Sequence, residues 1–482
     1  MNSMPEPASG GKRKQALYEY KKVYPRKVYG TFRKLKWAAV VVLLAIWHLA
    51  PFLRWDRGPG APDQAILIDM AGRRAYLYNI EIWPQEVYYL TGLLILAAIG
   101  LFFVTALLGR VWCGFACWQT VYTDLFVWIE ELFEGDRNER MKRDQLPASV
   151  GKLLRKVGKN VAWAAVSLLT GLAFALYFQD AFQGVKDVFT GQASKATYGF
   201  MILFGGFCWL LAGYAREQVC IYMCPWPRFQ AAMFDEDSLV VSYEAWRGEP
   251  RGHYKKGTDF SGRGHCVDCR LCVHVCPTGI DIRNGSQLAC IGCALCVDAC
   301  NSVMDRFGLP RGLISYDSVD NMAARSKGLP PKIRLIRGRT VGYVAIMGLV
   351  GSIMLYTLLN RSTTEVNVLH ERSPLYVTLS DGSIRNGYVF KVLNMVRETR
   401  SFELKLAGVE GATFSAIGLP TERDGTRIVL PVEPDAVADF QVFVTARRDA
   451  LAGKRTDLQF LLTDLATGKT IVHKTMFAGP EQ

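Results

Sequence analysis

Cysteine disappears from this chain after residue 300. That absence excludes a disulfide-stapled C-terminal region, and thirteen thiols confined upstream argue for metal ligation in a reducing compartment. No Gly-rich nucleotide- or flavin-binding signature occurs, so a partner that needs such a cofactor must be a separate molecule. Histidine is scarce, six in 482 residues. His48 lies in an apolar run, but no second His stands at matching spacing for a haem or metal site, and it reads as a packed or interfacial residue. The apolar run Trp37 to Leu53 has a long basic prelude and no small-residue cleavage site after it, which separates it from a signal peptide and leaves a retained membrane span. Acidic residues are also in deficit, 44 against 57 Lys and Arg, for a formal charge of +13. The surplus clusters beside apolar runs, which points to the positive-inside rule and away from nucleic acid. A length of 482 residues predicts two or three units plus linkers.

The densest chemistry lies between Cys266 and Cys300. Cys266, Cys269, Cys272 and Cys276 form one C-x-x-C-x-x-C-x-x-x-C run, and Cys290, Cys293, Cys296 and Cys300 form a second. This doubled rhythm is the ligand pattern of a bacterial ferredoxin with two [4Fe–4S] clusters, in which the fourth Cys of each run ligates the other cluster. Cys266, Cys269, Cys272 and Cys300 are therefore expected to hold the first, and Cys276, Cys290, Cys293 and Cys296 the second. A pair of structural zinc sites is the competing reading, but zinc ligands usually arrive as two separated Cys pairs. Pro277 follows the first run as expected, whereas Asn301 stands where a Pro usually follows the second.

Apolar runs and basic loops organise the remainder. Spans are expected at Trp37 to Leu53, Val87 to Leu108, Val161 to Phe178, Tyr198 to Tyr214 and Val341 to Leu359, with 54–83 read as a loop. Basic clusters lie in residues 1–36, from Arg137 to Lys159, and from Arg325 to Arg339. Five spans that start inside must end outside. The expected organisation is a cytoplasmic arm over 1–36, a four-span membrane domain over 37–234, a cytoplasmic linker and ferredoxin domain over 235–340, a fifth span over 341–360, and a periplasmic tail over 361–482. The tail is unlike the rest, with about seven short alternating runs separated by turns such as Asp381-Gly382. This pattern suits an immunoglobulin-like sandwich without its Cys pair, a β-barrel being the alternative. No catalytic constellation stands out in it.

Two further thiol pairs flank the membrane. Arg110-Val-Trp-Cys113-Gly-Phe-Ala-Cys117 follows the second span, and Arg216-Glu-Gln-Val-Cys220-Ile-Tyr-Met-Cys224 follows the fourth. Cysteines four apart share a helix face, so a repeated hairpin would gather four thiols at the cytoplasmic edge. Soft sulfur ligands suit Cu(I), zinc or an iron–sulfur cluster, and Arg110 and Arg216 are placed to keep the thiols ionised. One such pair would be taken as ordinary buried cysteine, and two at equivalent positions beside a ferredoxin favour a redox or metal role. Cys208, inside the fourth span, has no partner spacing and reads as packing.

The doubled cluster run, its continuation Asn301 to Tyr316, the two C-x-x-x-C segments and Leu379 to Tyr388 together resemble the CcoG family of cytochrome c oxidase accessory proteins, also called FixG or RdxA. The resemblance spans nearly the whole chain beyond the first twenty or so residues. It implies a multi-domain inner-membrane protein with five helical spans, a small α+β two-cluster ferredoxin domain and an all-β C-terminal sandwich. It further implies reduction of Cu(II) to Cu(I) for a cbb-type haem–copper oxidase, with copper at Cys113, Cys117, Cys220 and Cys224. The partners implied are the oxidase, copper-handling assembly proteins, and an electron donor in the cytoplasm or membrane. The family's C-x-x-x-C motifs usually end in Cys-Pro, to which Cys224-Pro225 conforms and Cys117-Trp118 does not. The related membrane ferredoxins NapH and NosR share the doubled motifs and imply a second role, oxidising quinol for another complex. A third role is a non-enzymatic scaffold for oxidase assembly.

Overall fold

The computed structural model describes residues 22–58, 60–255, 259–332, 334–420 and 426–480. Lys12, Arg13, Lys14 and Lys21 of the basic arm lie outside them. The chain divides into two compact units, Met1–Met354 and Leu355–Gln482.

In the first unit the helices run α1 (Thr31–Leu49), α2 (Tyr88–Leu108), α3 (Trp118–Glu134), α4 (Arg137–Gln145), α5 (Val150–Ala175), α6 (Ala181–Thr190), α7 (Lys195–Cys208) and α8 (Trp226–Met233). Five helical stretches among the described residues are long and apolar enough to cross a membrane: Thr31–Phe52, Pro84–Leu108, Val150–Ala175, Lys195–Ala215 and Gly338–Leu359. They match the five apolar runs, but α5 starts eleven residues before the expected Val161. Its basic first turns are tolerated because Ser149 caps the helix by accepting from the Lys152 amide at 3.3 Å. Residues 54–83 are not a plain loop. They fold into an antiparallel sheet of β1 (Ile66–Asp69), β2 (Arg74–Leu77) and β3 (Ile80–Ile82), strands too short to show alternation.

One buried carboxylate ties the helical layer together. Glu130 on α3 is 2% exposed and pairs with Arg140 of α4 at 2.9 Å, Lys159 of α5 at 3.3 Å and Arg216 at 2.8 Å. Burial alone would raise its pKa, but Arg216, Lys159 and Arg140 together outweigh burial and hold the carboxyl at about 2. Arg216 also lies 5.2 Å from the ring centre of the buried Trp163, which stacks on Phe126.

The cluster segment is closed by a two-stranded antiparallel ladder in which β4 (Val240–Tyr243) pairs with β5 (Ile314–Asp317), bringing together the chain before and after the cysteine runs. Between them lie α9 (Ala245–Gly248), α10 (Leu271–His274) and α11 (Leu295–Phe307); α12 (Val319–Ser326) and α13 (Gly338–Leu359) follow. The N-terminus of α1 is pinned to this segment. The buried Asp298 of α11 accepts from the amides of Phe32 and Arg33 at 3.3 and 2.8 Å.

The second unit is a two-sheet sandwich, as read from its alternation and not the barrel alternative. One sheet has the order β10 (Thr413–Ala416), β12 (Ala436–Ala446), β8 (Ile384–Asn394), β6 (Thr364–His370), with β7 (Val377–Thr378) also on β8. The other has the order β11 (Arg427–Val432), β9 (Arg400–Ala407), β13 (Arg455–Asp464), β14 (Thr470–Ala478). Two strands exceed the sequence expectation, β6 and the four-residue β10. Tyr388, Phe390, Phe402, Phe460 and Phe477 fill the space between the sheets. The fully buried Asn386 joins them, donating to and accepting from the backbone of Ala478 at 2.9 Å.

Replacing Glu130 by Gln should destabilise the first unit by about 3–5 kcal/mol, because three cations lose their buried counter-charge. Acid should act similarly. The folded pKa is depressed, so the stabilisation is present above the unfolded value of 4.5 and is lost as pH falls toward 2, amounting to about 3 kcal/mol. Thermal melts of the purified protein between pH 7 and 3 check both, with E130Q expected to melt lower and to lose this part of the pH dependence.

Candidate functional site

The two cysteine runs fold as near-copies. Asp268 and Arg270 flank Cys269 at φ 49° and 55°, and Gly292 and Ala294 flank Cys293 at φ 70° and 57°. Left-handed backbone on both sides of the second thiol curls each loop into a cup. Cys266, Cys269, Cys272 and Cys300 line one cavity, and Cys276, Cys290, Cys293 and Cys296 line the next, together with Cys272. The fourth Cys of each run thus faces the other run's triplet. Burial pushes the thiols of Cys272, Cys293 and Cys300 up to about 12, values that favour thiolate only when a cation is bound. These cups therefore fit iron–sulfur groups by donor type and by number. Thr278 and the Cys276 sulfur are 3.3 Å apart, a hydrogen bond to a candidate ligand atom that the sequence rhythm does not reveal.

The C-x-x-x-C segments are also structural copies, but not the continuous helix faces expected from four-residue spacing. Each is a single π-helical turn, Trp112–Ala116 and Val219–Met223, closed by an amide-to-carbonyl bond spanning five residues, Cys117 to Trp112 and Cys224 to Val219, both 2.8 Å. The second Cys of each leaves the helix with extended dihedrals, φ −65° and ψ 130° at Cys117, φ −79° and ψ 122° at Cys224. A following Pro imposes that conformation on Cys224. Cys117 adopts it before Trp118, so the missing Pro has not altered the turn.

All four membrane-edge thiols come within electrostatic reach of one another. Burial raises Cys113 to about 12, with further increments from Cys117 and Cys224; burial raises Cys220 to about 12, with increments from Cys117, Cys113 and Cys224. The expected role of the two arginines needs correction. Arg110 lowers the Cys113 pKa without overcoming burial, and it donates to the carbonyls of Leu288, Cys290 at 2.8 Å and Pro227 at 2.7 Å. Arg216 is committed to Glu130 and to the Gly213 carbonyl at 2.7 Å. Arg110 is thus a strut joining the first repeat, the second repeat and the loop of the second cluster run. Among the described residues no three His, Cys, Asp or Glu are close enough to hold a single ion, so an ion at this quartet would have to draw the thiols inward.

The quartet abuts the ferredoxin. Cys113 and Cys220 pack on the core formed by Val275, Ile291, Cys293, Leu295 and Ala299. A Cβ on Gly114 would lie 2.9 Å from the Cys293 amide nitrogen, and one on Gly292 would lie 3.1 Å from the Arg110 backbone. These two glycines allow backbone-to-backbone contact between a thiol turn and a cluster loop. Gln230, fully buried, accepts from the Cys113 sulfur at 3.3 Å and donates to Thr105 at 3.3 Å. Neither glycine nor Gln230 was legible as a site residue. Cys208 stands apart from the quartet, packed against Phe126 and Trp163 with their neighbours.

Comparison with known proteins agrees with this division. Residues 215–319 match the model of a 4Fe-4S dicluster domain, 90–136 that of a 4Fe-4S binding domain, and 354–480 that of the IG-like fold at the C-terminus of FixG. Both C-x-x-x-C segments fall inside the iron–sulfur matches. The nitrogen fixation protein FixG of Rhizobium meliloti is 43% identical over 96% of this chain and 94% of its own length. Two proteins of Cereibacter sphaeroides are similar to the same degree: RdxB, 45% identical over 95% of this chain and 96% of its own, and RdxA, 44% over 92% and 93%. The chain belongs to the FixG/RdxA family of membrane-associated iron–sulfur electron-transfer proteins.

Proposed function

We propose that the protein reduces Cu(II) to Cu(I) at Cys113, Cys117, Cys220 and Cys224, supplying Cu(I) for assembly of a cbb-type haem–copper oxidase. Cys266, Cys269, Cys272 and Cys300 would hold one [4Fe–4S] group and Cys276, Cys290, Cys293 and Cys296 the other. Such groups supply one-electron carriage between two charge states. Copper is the substrate: Cu(II) bound by the four soft sulfurs takes one electron and leaves as Cu(I), with no bond to oxygen made or broken.

The contact of Gly114 with Cys293 carries this reading. It puts the thiol quartet one backbone layer from a ligand of the second group, without an intervening side chain. A scaffold would not need two buried glycines there. The basic clusters and the five apolar helices further support an arrangement in the bacterial inner membrane with the ferredoxin segment cytoplasmic and the sandwich periplasmic.

Two experiments test these assignments. Replacing Cys113 and Cys117, or Cys220 and Cys224, by Ser removes soft ligands at little change in volume. Cu(II) reduction by the dithionite-reduced protein should fall at least about tenfold while iron and sulfide content persist. Unchanged reduction in the quadruple Ser variant would move copper elsewhere. For orientation, a periplasm-active reporter fused after Gln482 should be active and one fused after Gly308 silent, and the reverse pattern would invert the topology.

A further inference from the structure

A cavity of about 470 Å³ lies between α1, α3 and the second cluster loop, a size typical of small-molecule sites. Its lining runs from the half-exposed Trp128 to the buried Val275, Ile291 and Leu295. At the outer end Trp37 and Trp128 meet edge to face at 5.8 Å, near the start of the first span, where aromatic rings favour the water–lipid boundary. The inner wall belongs to the cluster loops. Val275 and Pro277 bracket Cys276, and Ile291 lies between Cys290 and Cys293.

The charge balance argues against a cation. Six Lys and Arg line the cavity against three carboxylates, and one of those, Asp124, is already paired with Arg33 at 2.9 Å and Lys36 at 3.3 Å. Cys220 of the thiol quartet closes one edge of the lining; elsewhere a copper ion would be repelled, whereas a neutral ring with an apolar tail would be accepted, its oxygens meeting donors such as Lys34. We infer that this cavity binds a membrane quinol and is where electrons enter. The inference rests on the electron-transfer reading above and supplies the donor that it leaves open. In balance, one quinol loses two protons and two electrons and leaves as quinone; the two groups that the eight ferredoxin thiols would hold would supply the two one-electron acceptors. Glu131 and Glu217, the two lining carboxylates other than the ion-paired Asp124, are placed to take one proton each. A phospholipid would satisfy the cations equally, but would gain nothing from a wall made of cluster-loop residues.

The test is binding of decylubiquinone to the purified full-length protein in phosphatidylcholine nanodiscs, read by titration calorimetry. Val127→Trp fills the cavity from α3 and should weaken binding by about tenfold or more with iron content unchanged. Thr123→Phe serves the same purpose should V127W not fold. Leu132→Trp, on an exposed position of α3 outside the lining, should bind as the parent does. The Cys113→Ser/Cys117→Ser variant should also bind quinone as the parent does, so unchanged copper reduction there with quinone binding intact would fault the copper reading alone. Absence of saturable binding, affinity unchanged from the parent in both filled variants, or a co-purifying phospholipid that decylubiquinone does not displace would each overturn the quinol site.

Discussion

Backbone contact at Gly114 and Gly292 is the constraint on which the rest of the first unit depends. Two chain segments 180 residues apart at Arg110 and Cys290 approach until a methyl group on either glycine would collide. To hold them there the fold uses Arg110, itself on the Gly114 side, whose guanidinium reaches two carbonyls on the cluster-loop side of the contact and one just after the second repeat. A neutral strut would not serve as well, because charge-assisted bonds to three carbonyls offset the cost of burying the guanidinium. The Glu130 network does the equivalent work one layer away, fixing Arg216 and with it the second thiol turn. Both arginines that the sequence suggests as thiol activators are thus structural, and burial dominates the thiols they flank.

This arrangement makes the membrane helices a mounting for the ferredoxin rather than a tether. α1 begins on Asp298 of α11, and the turns after the second and fourth spans each bring a cysteine onto the core behind Cys293. The described cavity lies between the same elements. An electron carrier held in this way is fixed relative to the lipid boundary on one side and to the thiol quartet on the other, which is what a fixed route between a membrane donor and a metal acceptor requires.

Much of this was legible in the sequence for identifiable reasons. Cysteines at cubane-ligand spacing follow a fixed rhythm, so the grouping of Cys300 with the first triplet and Cys276 with the second could be expected; Cys300 lines one cavity with the first triplet and Cys276 lines the other with the second and Cys272. Apolar runs long enough for a bilayer announce themselves by composition. What escaped was short or depended on tertiary contact. The π-turns differ from α-helix by one hydrogen-bond step that spacing does not encode, since four-residue separation fits either. The sheet over 66–82 has strands of three or four residues, and β10 has four. Gln230 and Gly114 matter only through what lies opposite them, and nothing local marks them. The amphipathic α3, which supplies Glu130 and one wall of the cavity, hides between a cysteine motif and a basic loop.

The proposed electron-transfer role requires the eight ferredoxin thiols to hold iron–sulfur groups beside a separate soft-metal site. Anaerobic metal and sulfide analysis of the purified protein, combined with EPR before and after reduction, tests that most directly. About eight iron and eight sulfide per chain, with a reducible cluster signal, are predicted. Stoichiometric zinc with no reducible iron would contradict it.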